Sequence, residues 1–189
     1  SKRNQYNYIA RLDAGDFFYK NKLTKQYKYL KDNKKTKLLG TWARVVDNKG
    51  NFLHYIKHPS EYSKIKKAMF LNSMFIHPSV MFSAEIFKKI DLYPTNYKAA
   101  EDYAFFFKIV NYFKSENYPE ILMDYTAEEG SISSRLRKTQ VINRIRIILD
   151  NFKPGLYPVY GIIRNSILLL FSRKLTTTIK KLQYNEQKA

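Results

Sequence analysis

The chain has 189 residues, no cysteine and a formal net charge of +18, with 34 Lys and Arg against 16 Asp and Glu. Its length suits one domain of ordinary size, and 44% hydrophobic with 16% aromatic residues excludes disorder and collagen-like repeats. Without cysteine there is no disulfide, thiolate zinc site or cysteine nucleophile, which fits a reducing, cytoplasmic setting, and no apolar run is long enough to span a bilayer.

Residues 6–12 read as a buried strand ending in the acidic turn Asp13-Ala14-Gly15-Asp16. Leu23, Tyr27 and Leu30 at helical spacing predict a helix over 21–31. Strands follow over 38–46 and 51–57, joined by the turn signal Asp47-Asn48-Lys49-Gly50. Ser60 is placed to cap a helix bearing Tyr62, Ile65 and Met69. A short strand is expected over 79–82, a helix capped by Ser83 over 84–90, and a loop over 91–100. The apolar helix opened by Glu101-Asp102 runs to Phe113, and a short strand covers 121–125. Residues 128–134 are polar and turn-like. A basic helix is expected over 135–151, a break around Pro154, Gly155 and Pro158, and an apolar stretch over 161–171 interrupted by Arg164. Strands alternating with helices make the class α/β, with an antiparallel element at the hairpin.

Three local features could carry chemistry. Asp13 and Asp16 follow an apolar strand, where carboxylates in an open α/β sheet meet ligands and can hold Mg²⁺ or Mn²⁺ beside phosphates. Asp-rich turns are also ordinary loop chemistry. Glu101 and Asp102 either complement a helix dipole or present a general base at a cleft mouth. His77, between a helix and a strand, has no metal-ligand spacing around it.

In order, the blocks YIARLDAGDFFYKNKLTKQYKYL, LLGTWARVVDNKG, NSMFIHPSVMFSAEIFKKI, YKAAEDYAFFFKI and PEILMDYTAEEGSIS resemble glycosyltransferase family 2. The resemblance implies a partial GT-A, Rossmann-like mixed sheet flanked by helices over 1–134, with a basic, amphipathic helical tail over 135–189. It implies an inverting transfer from a nucleotide-sugar donor to a saccharide or lipid-linked acceptor, in surface polysaccharide or glycolipid synthesis. Asp13 matches the first carboxylate of the family's metal-binding acidic motif. Gly15 stands where the second usually lies, so Asp16 is the next candidate ligand. Asp102 matches the catalytic base, with Glu101 positioning acceptor or base. Asp13, Arg135 and Arg137 fall where the resemblance puts the donor, Arg11 either contacts the nucleotide or braces the strand, and Trp42 and His77 fall in segments that resemble acceptor-lining ones.

The family's strand-helix units that precede the acidic motif are not in this chain. The expectation is therefore the carboxyl-terminal portion of a longer enzyme or a remnant, with a sheet edge left open. From Arg135 onward basic residues outnumber acidic ones about six to one. Residues 157–171 suit a segment lying on an anionic membrane surface at the cytoplasmic leaflet. A helix packed on the catalytic domain is the other reading. The competing function is a non-catalytic basic fragment that binds membrane or nucleic acid. The carboxylates at 13, 16 and 102 argue against a nucleic-acid partner.

Overall fold

The computed structural model describes residues 6–127 and 135–170. The chain forms a curled, mixed α/β sheet flanked by helices. Its elements are β1 (Tyr8–Ala10), β2 (Phe17–Phe18), α1 (Lys22–Asp32), β3 (Thr36–Val46), β4 (Phe52–Ile56), α2 (Tyr62–Ala68), β5 (Met81–Ser83), α3 (Glu101–Tyr112), β6 (Lys114–Thr126), α4 (Arg137–Asp150) and α5 (Leu156–Leu170). The sheet order is β1-β5-β3-β6-β2, with β4 paired to β3. Among the described strands only β3 and β6 pair in parallel, so the chain crosses from one to the other through β4, α2, β5 and α3.

The core gathers on α3. Phe105, Phe106, Phe107, Ile109 and Val110 pack with Met69, Phe75, Phe82, Ile86 and Ile147 of the surrounding elements. Each fully buried side chain of this size contributes about 1.5–3 kcal/mol by leaving water. This packing fixes the first turn of α3 in place, with Glu101 and Asp102 at its amino end.

Several elements differ from expectation. The first strand is confined to Tyr8–Ala10 and is a half-buried edge, paired with β5 alone among the described strands, rather than the buried strand expected over 6–12. The open sheet edge is thus present at β1. Helix α1 buries Lys22, Gln26 and Leu30 and exposes Leu23 and Tyr27. The buried carbonyls of Leu39 and Ser79 need donors, and the Gln26 amide supplies both, at 2.8 and 3.0 Å.

The last sheet strand is 13 residues long, not five. Pro119 disguised it, since proline is usually excluded from paired strands. Here the β3–β6 register jumps from Thr41↔Tyr118 to Trp42↔Ile121, so Pro119 sits in an irregularity where no ladder bond is lost. Glu61, not Ser60, precedes α2, and the Ser60 carbonyl instead accepts the Asn117 amide. Ser79 belongs to a 3-10 turn before β5. Ser83 does cap the next segment, accepting the Glu85 amide, but that segment is a 3-10 helix. Helix α5 starts at Leu156 rather than after Pro158, because Pro158 lies in its first turn, where an N–H has no intrahelical partner. Residues 128–134, and with them the expected polar turn, lie outside the described residues, as do Phe171, Arg173, Lys174, Lys180 and Lys181. Among the described residues no helix is long and apolar enough to cross a membrane.

Candidate active site

A cleft of about 690 Å³ opens above the end of β1. Arg11, Asp13, His58, His77, Tyr93, Glu101 and Asp102 line it. Gln140 and Arg144 of α4 also line it. Residues from distant parts of the sequence therefore meet where the strands end, the place ligands occupy in open α/β sheets.

Asp13 is held by two neighbours. Arg11 Nε donates to Oδ1 at 2.8 Å, and His77 Nδ1 lies 3.0 Å from Oδ2. His77 is fixed in turn by the 3-10 turn it begins, by the Tyr93 hydroxyl at 3.4 Å from Nε2, and by the rings of Tyr93 and Phe106. Tyr93 stacks on Phe105 with centroids 4.0 Å apart, and burial pushes its hydroxyl pKa up to about 12. It stays a neutral hydrogen-bonding group across the physiological range.

Asp16 does not join Asp13. It is buried, and its Oδ1 accepts the Thr126 amide at 2.8 Å while Thr126 Oγ1 donates to the Gly15 carbonyl. Gly15 adopts a φ of +87°, a conformation that glycine takes without strain. The Asp13–Asp16 turn is thereby clamped to the end of β6, with Asp16 serving as the clamp.

The amino end of α3 is positioned by α4. Asn143 donates to the Lys98 carbonyl at 2.9 Å, and Gln140 donates to the Ala99 carbonyl at 3.0 Å. Between these pins Ala99 takes a φ of +63°, costly for a residue with a Cβ. Ala99→Gly is expected to raise stability by about 0.5–1 kcal/mol in denaturant unfolding, the strain relieved exceeding the added unfolded-state entropy. A loss of stability would show that the turn is not strained.

Arg144 was missed in the sequence. Its guanidinium lines the cleft and donates to Gln140 Oε1 at 3.1 Å. Burial lowers its pKa from the ordinary value, while the negative charge of Asp102 acts in the opposite sense. The signal was an arginine between Val141 and Ile148 on one helix face, a position that packs inward. By contrast, Arg137 donates to the Leu168 carbonyl of α5, and Arg135 is exposed; neither lines the cleft. Trp42 is also outside it. Its indole donates to the His58 carbonyl at 2.9 Å, and Lys57 sits over its ring.

Among the described residues no three His, Asp or Glu side chains converge as a metal site. Asp13, on the cleft wall, offers carboxylate oxygen of the kind Mg²⁺ and Mn²⁺ take beside phosphate oxygens, while His77, its Nδ1 engaged with Oδ2, braces that carboxylate. The buried, amide-bound Asp16 does not fit such a role.

No protein-family model matches the chain. The chain is 34% identical over 138 residues to an uncharacterized glycosyltransferase of Methanocaldococcus jannaschii, a match covering 71% of this chain and 47% of the relative. It is 31% identical over 130 residues to the O-antigen biosynthesis glycosyltransferase WbnJ of Escherichia coli, covering 67% of this chain and 50% of the relative. The chain thus spans about half the length of these curated relatives. Its fold matches that of the S. aureus TarS 1-349 crystal structure with a TM-score of 0.54 at 14% identity, covering 91% of this chain and 50% of that one. The likeness to glycosyltransferases read from the five sequence blocks is borne out by the relatives, and the α/β fold by the structural match.

Proposed function

We propose that the chain carries the acceptor and diphosphate side of an inverting glycosyltransferase site. The donor would be a nucleotide sugar. The acceptor would be a saccharide or a lipid-linked saccharide, in surface polysaccharide or glycolipid synthesis at the cytoplasmic face of a membrane. The observation that carries this reading is the shared cleft. Asp13 and Asp102, 89 positions apart, wall one cavity together with the cations Arg11 and Arg144. The relationship to WbnJ, named for O-antigen biosynthesis, supports the polysaccharide setting.

In this reading an acceptor hydroxyl attacks the anomeric carbon from the face opposite the diphosphate. The new C–O bond forms as the bond to the phosphate oxygen breaks, and the hydroxyl proton passes to an Asp102 carboxylate oxygen. Glu101 orients the acceptor beside it. Arg11 and Arg144 place positive charge where the departing diphosphate gathers negative charge. Asp13, with His77 beside it, would hold Mg²⁺ or Mn²⁺. That ion neutralises charge on the leaving diphosphate when bound.

Calorimetric titration of the full-length polypeptide with nucleoside diphosphates, with and without Mn²⁺, tests the donor side. Binding is expected to strengthen with the metal, and Asp13→Ala is expected to remove that strengthening, a change of about tenfold or more. Equal metal-dependent binding in the variant would remove Asp13 from the site.

A further inference from the structure

Helix α5 is packed with its polar side inward. Pro158, Gly161 and Asn165, at spacings of three and four residues, form the buried face. Gly161 lies so close to α2 that a Cβ there would stand 2.0 Å from the Phe70 carbonyl oxygen. Asn165 donates to the Gly161 carbonyl at 2.8 Å, and Arg164 reaches the Leu71 carbonyl at 3.1 Å. The helix is therefore held by close backbone approach and hydrogen bonds, with its large apolar side chains left on the other side. Leu156, Val159, Tyr160, Ile163, Ile167 and Leu170 recur at helical spacing, and all are exposed, Leu156 and Leu170 by more than 80%. Leu149 and Phe152, before α5, are exposed as well.

A continuous apolar stripe of this length is unusual on a surface left to water. From Arg135 to Leu170 the sequence has seven Lys and Arg and a single Asp, and a further five basic residues against one Glu follow to the end. Among the described cations of this stretch Arg135, Lys138, Arg146 and Lys153 are exposed, whereas Arg137, Arg144 and Arg164 are turned to protein groups, and two copies of a chain this basic would repel each other. An anionic surface would attract them.

We infer that the exposed stripe of α5 is a membrane-docking surface that lies in the headgroup region of a bilayer rich in anionic phospholipid. The apolar side chains enter the acyl boundary, and exposed cations such as Lys153, next to Phe152, meet headgroup phosphates. The fixed seat of Gly161 against Phe70 makes the helix a rigid part of the protein, so docking sets the orientation of the whole domain. The inference goes beyond the transfer reaction and does not depend on it, because its readout is lipid binding.

Sedimentation with vesicles tests it, using this chain and phosphatidylcholine vesicles with or without phosphatidylglycerol. Binding is expected only with the anionic lipid, and to weaken as salt rises. The triple variant Ile163→Ser, Ile167→Ser, Leu170→Ser is expected to lose about tenfold or more of that binding. Its unfolding midpoint should match the parent's, since all three side chains are already exposed. The inference is overturned if the parent binds neither vesicle, if the triple variant binds as well as the parent, or if the parent is a dimer that the triple variant dissolves.

Discussion

Asp102→Asn in the full-length polypeptide is expected to lower turnover by about 10²–10⁴-fold while donor binding changes by no more than a few-fold. The amide keeps the size and shape of the carboxylate but cannot accept the acceptor's proton. Its setting is stiff. Asp102 sits in the first turn of a helix whose following residues are core, and the backbone before it is pinned by Gln140 and Asn143. The substitution therefore has little room to act by moving the site. It also removes the negative charge that favours the buried Arg144 guanidinium, so a modest loss of stability should accompany the kinetic effect. Counting donor-binding sites by calorimetry separates these consequences, because a folding defect lowers the number of sites whereas loss of the base lowers turnover per site. Turnover within a few-fold of the parent would take Asp102 out of the proton-transfer role.

Lys22→Met is expected to stabilise the chain at neutral pH and to flatten its stability profile in mild alkali. Lys22 is fully buried, its Nζ 2.8 Å from Gln26 Oε1 and 3.7 Å from the centre of the Phe18 ring. Burial lowers its pKa from 10.5 to about 7. Between those values the unfolded chain holds a proton that the folded chain does not. Stability therefore rises with pH, by up to about 1.4 kcal/mol per unit, and the penalty for burying the ammonium is fully present below pH 7. Methionine removes the penalty at similar size. It leaves Gln26 Oε1 without its lysine donor, which costs about 1–3 kcal/mol, so the net gain at pH 7 should be of order 1–3 kcal/mol. Urea unfolding between pH 7 and 9.5, below the range where tyrosines ionise, measures both curves. A parent profile that is flat over that window would show that the amine is not desolvated as described.

The two sides of the site differed in how legible they were. Asp13 and Glu101-Asp102, each a short acidic motif next to a clear apolar element, do come to line one cleft, because nearby backbone geometry determines where each points. Asp16 misled because a turn carboxylate can serve a ligand or a backbone amide equally well, and only the approach of Thr126, 110 positions later, decides between them. Arg144 was hidden for a similar reason. In a run with Arg135, Arg137, Lys138 and Arg146, charge alone does not say which cation turns inward. That depends on how α4 rolls against α3.

The fold shows the same division. The hairpin at residues 47–50 was legible because Asp47 Oδ1 accepts the Lys49 and Asn51 amides within the turn itself. The true length of β6 was not, since the irregularity that tolerates Pro119 lies in its pairing with β3. Helix α1 inverted its expected face because two carbonyls on other elements needed the Gln26 amide more than Leu23 and Tyr27 needed burial.

The proposed reaction, transfer of a sugar from a nucleotide donor in the cleft lined by Asp13, Asp102, Arg11 and Arg144, has a direct readout. The most direct measurement incubates the full-length polypeptide with a panel of nucleotide sugars and Mn²⁺, with and without oligosaccharide acceptors, and follows release of nucleoside diphosphate. At least one donor is expected to release its diphosphate, an acceptor to accelerate the release, and Asp102→Asn to suppress it. Release from no donor, or release unaffected by Asp102→Asn, would contradict the proposed reaction.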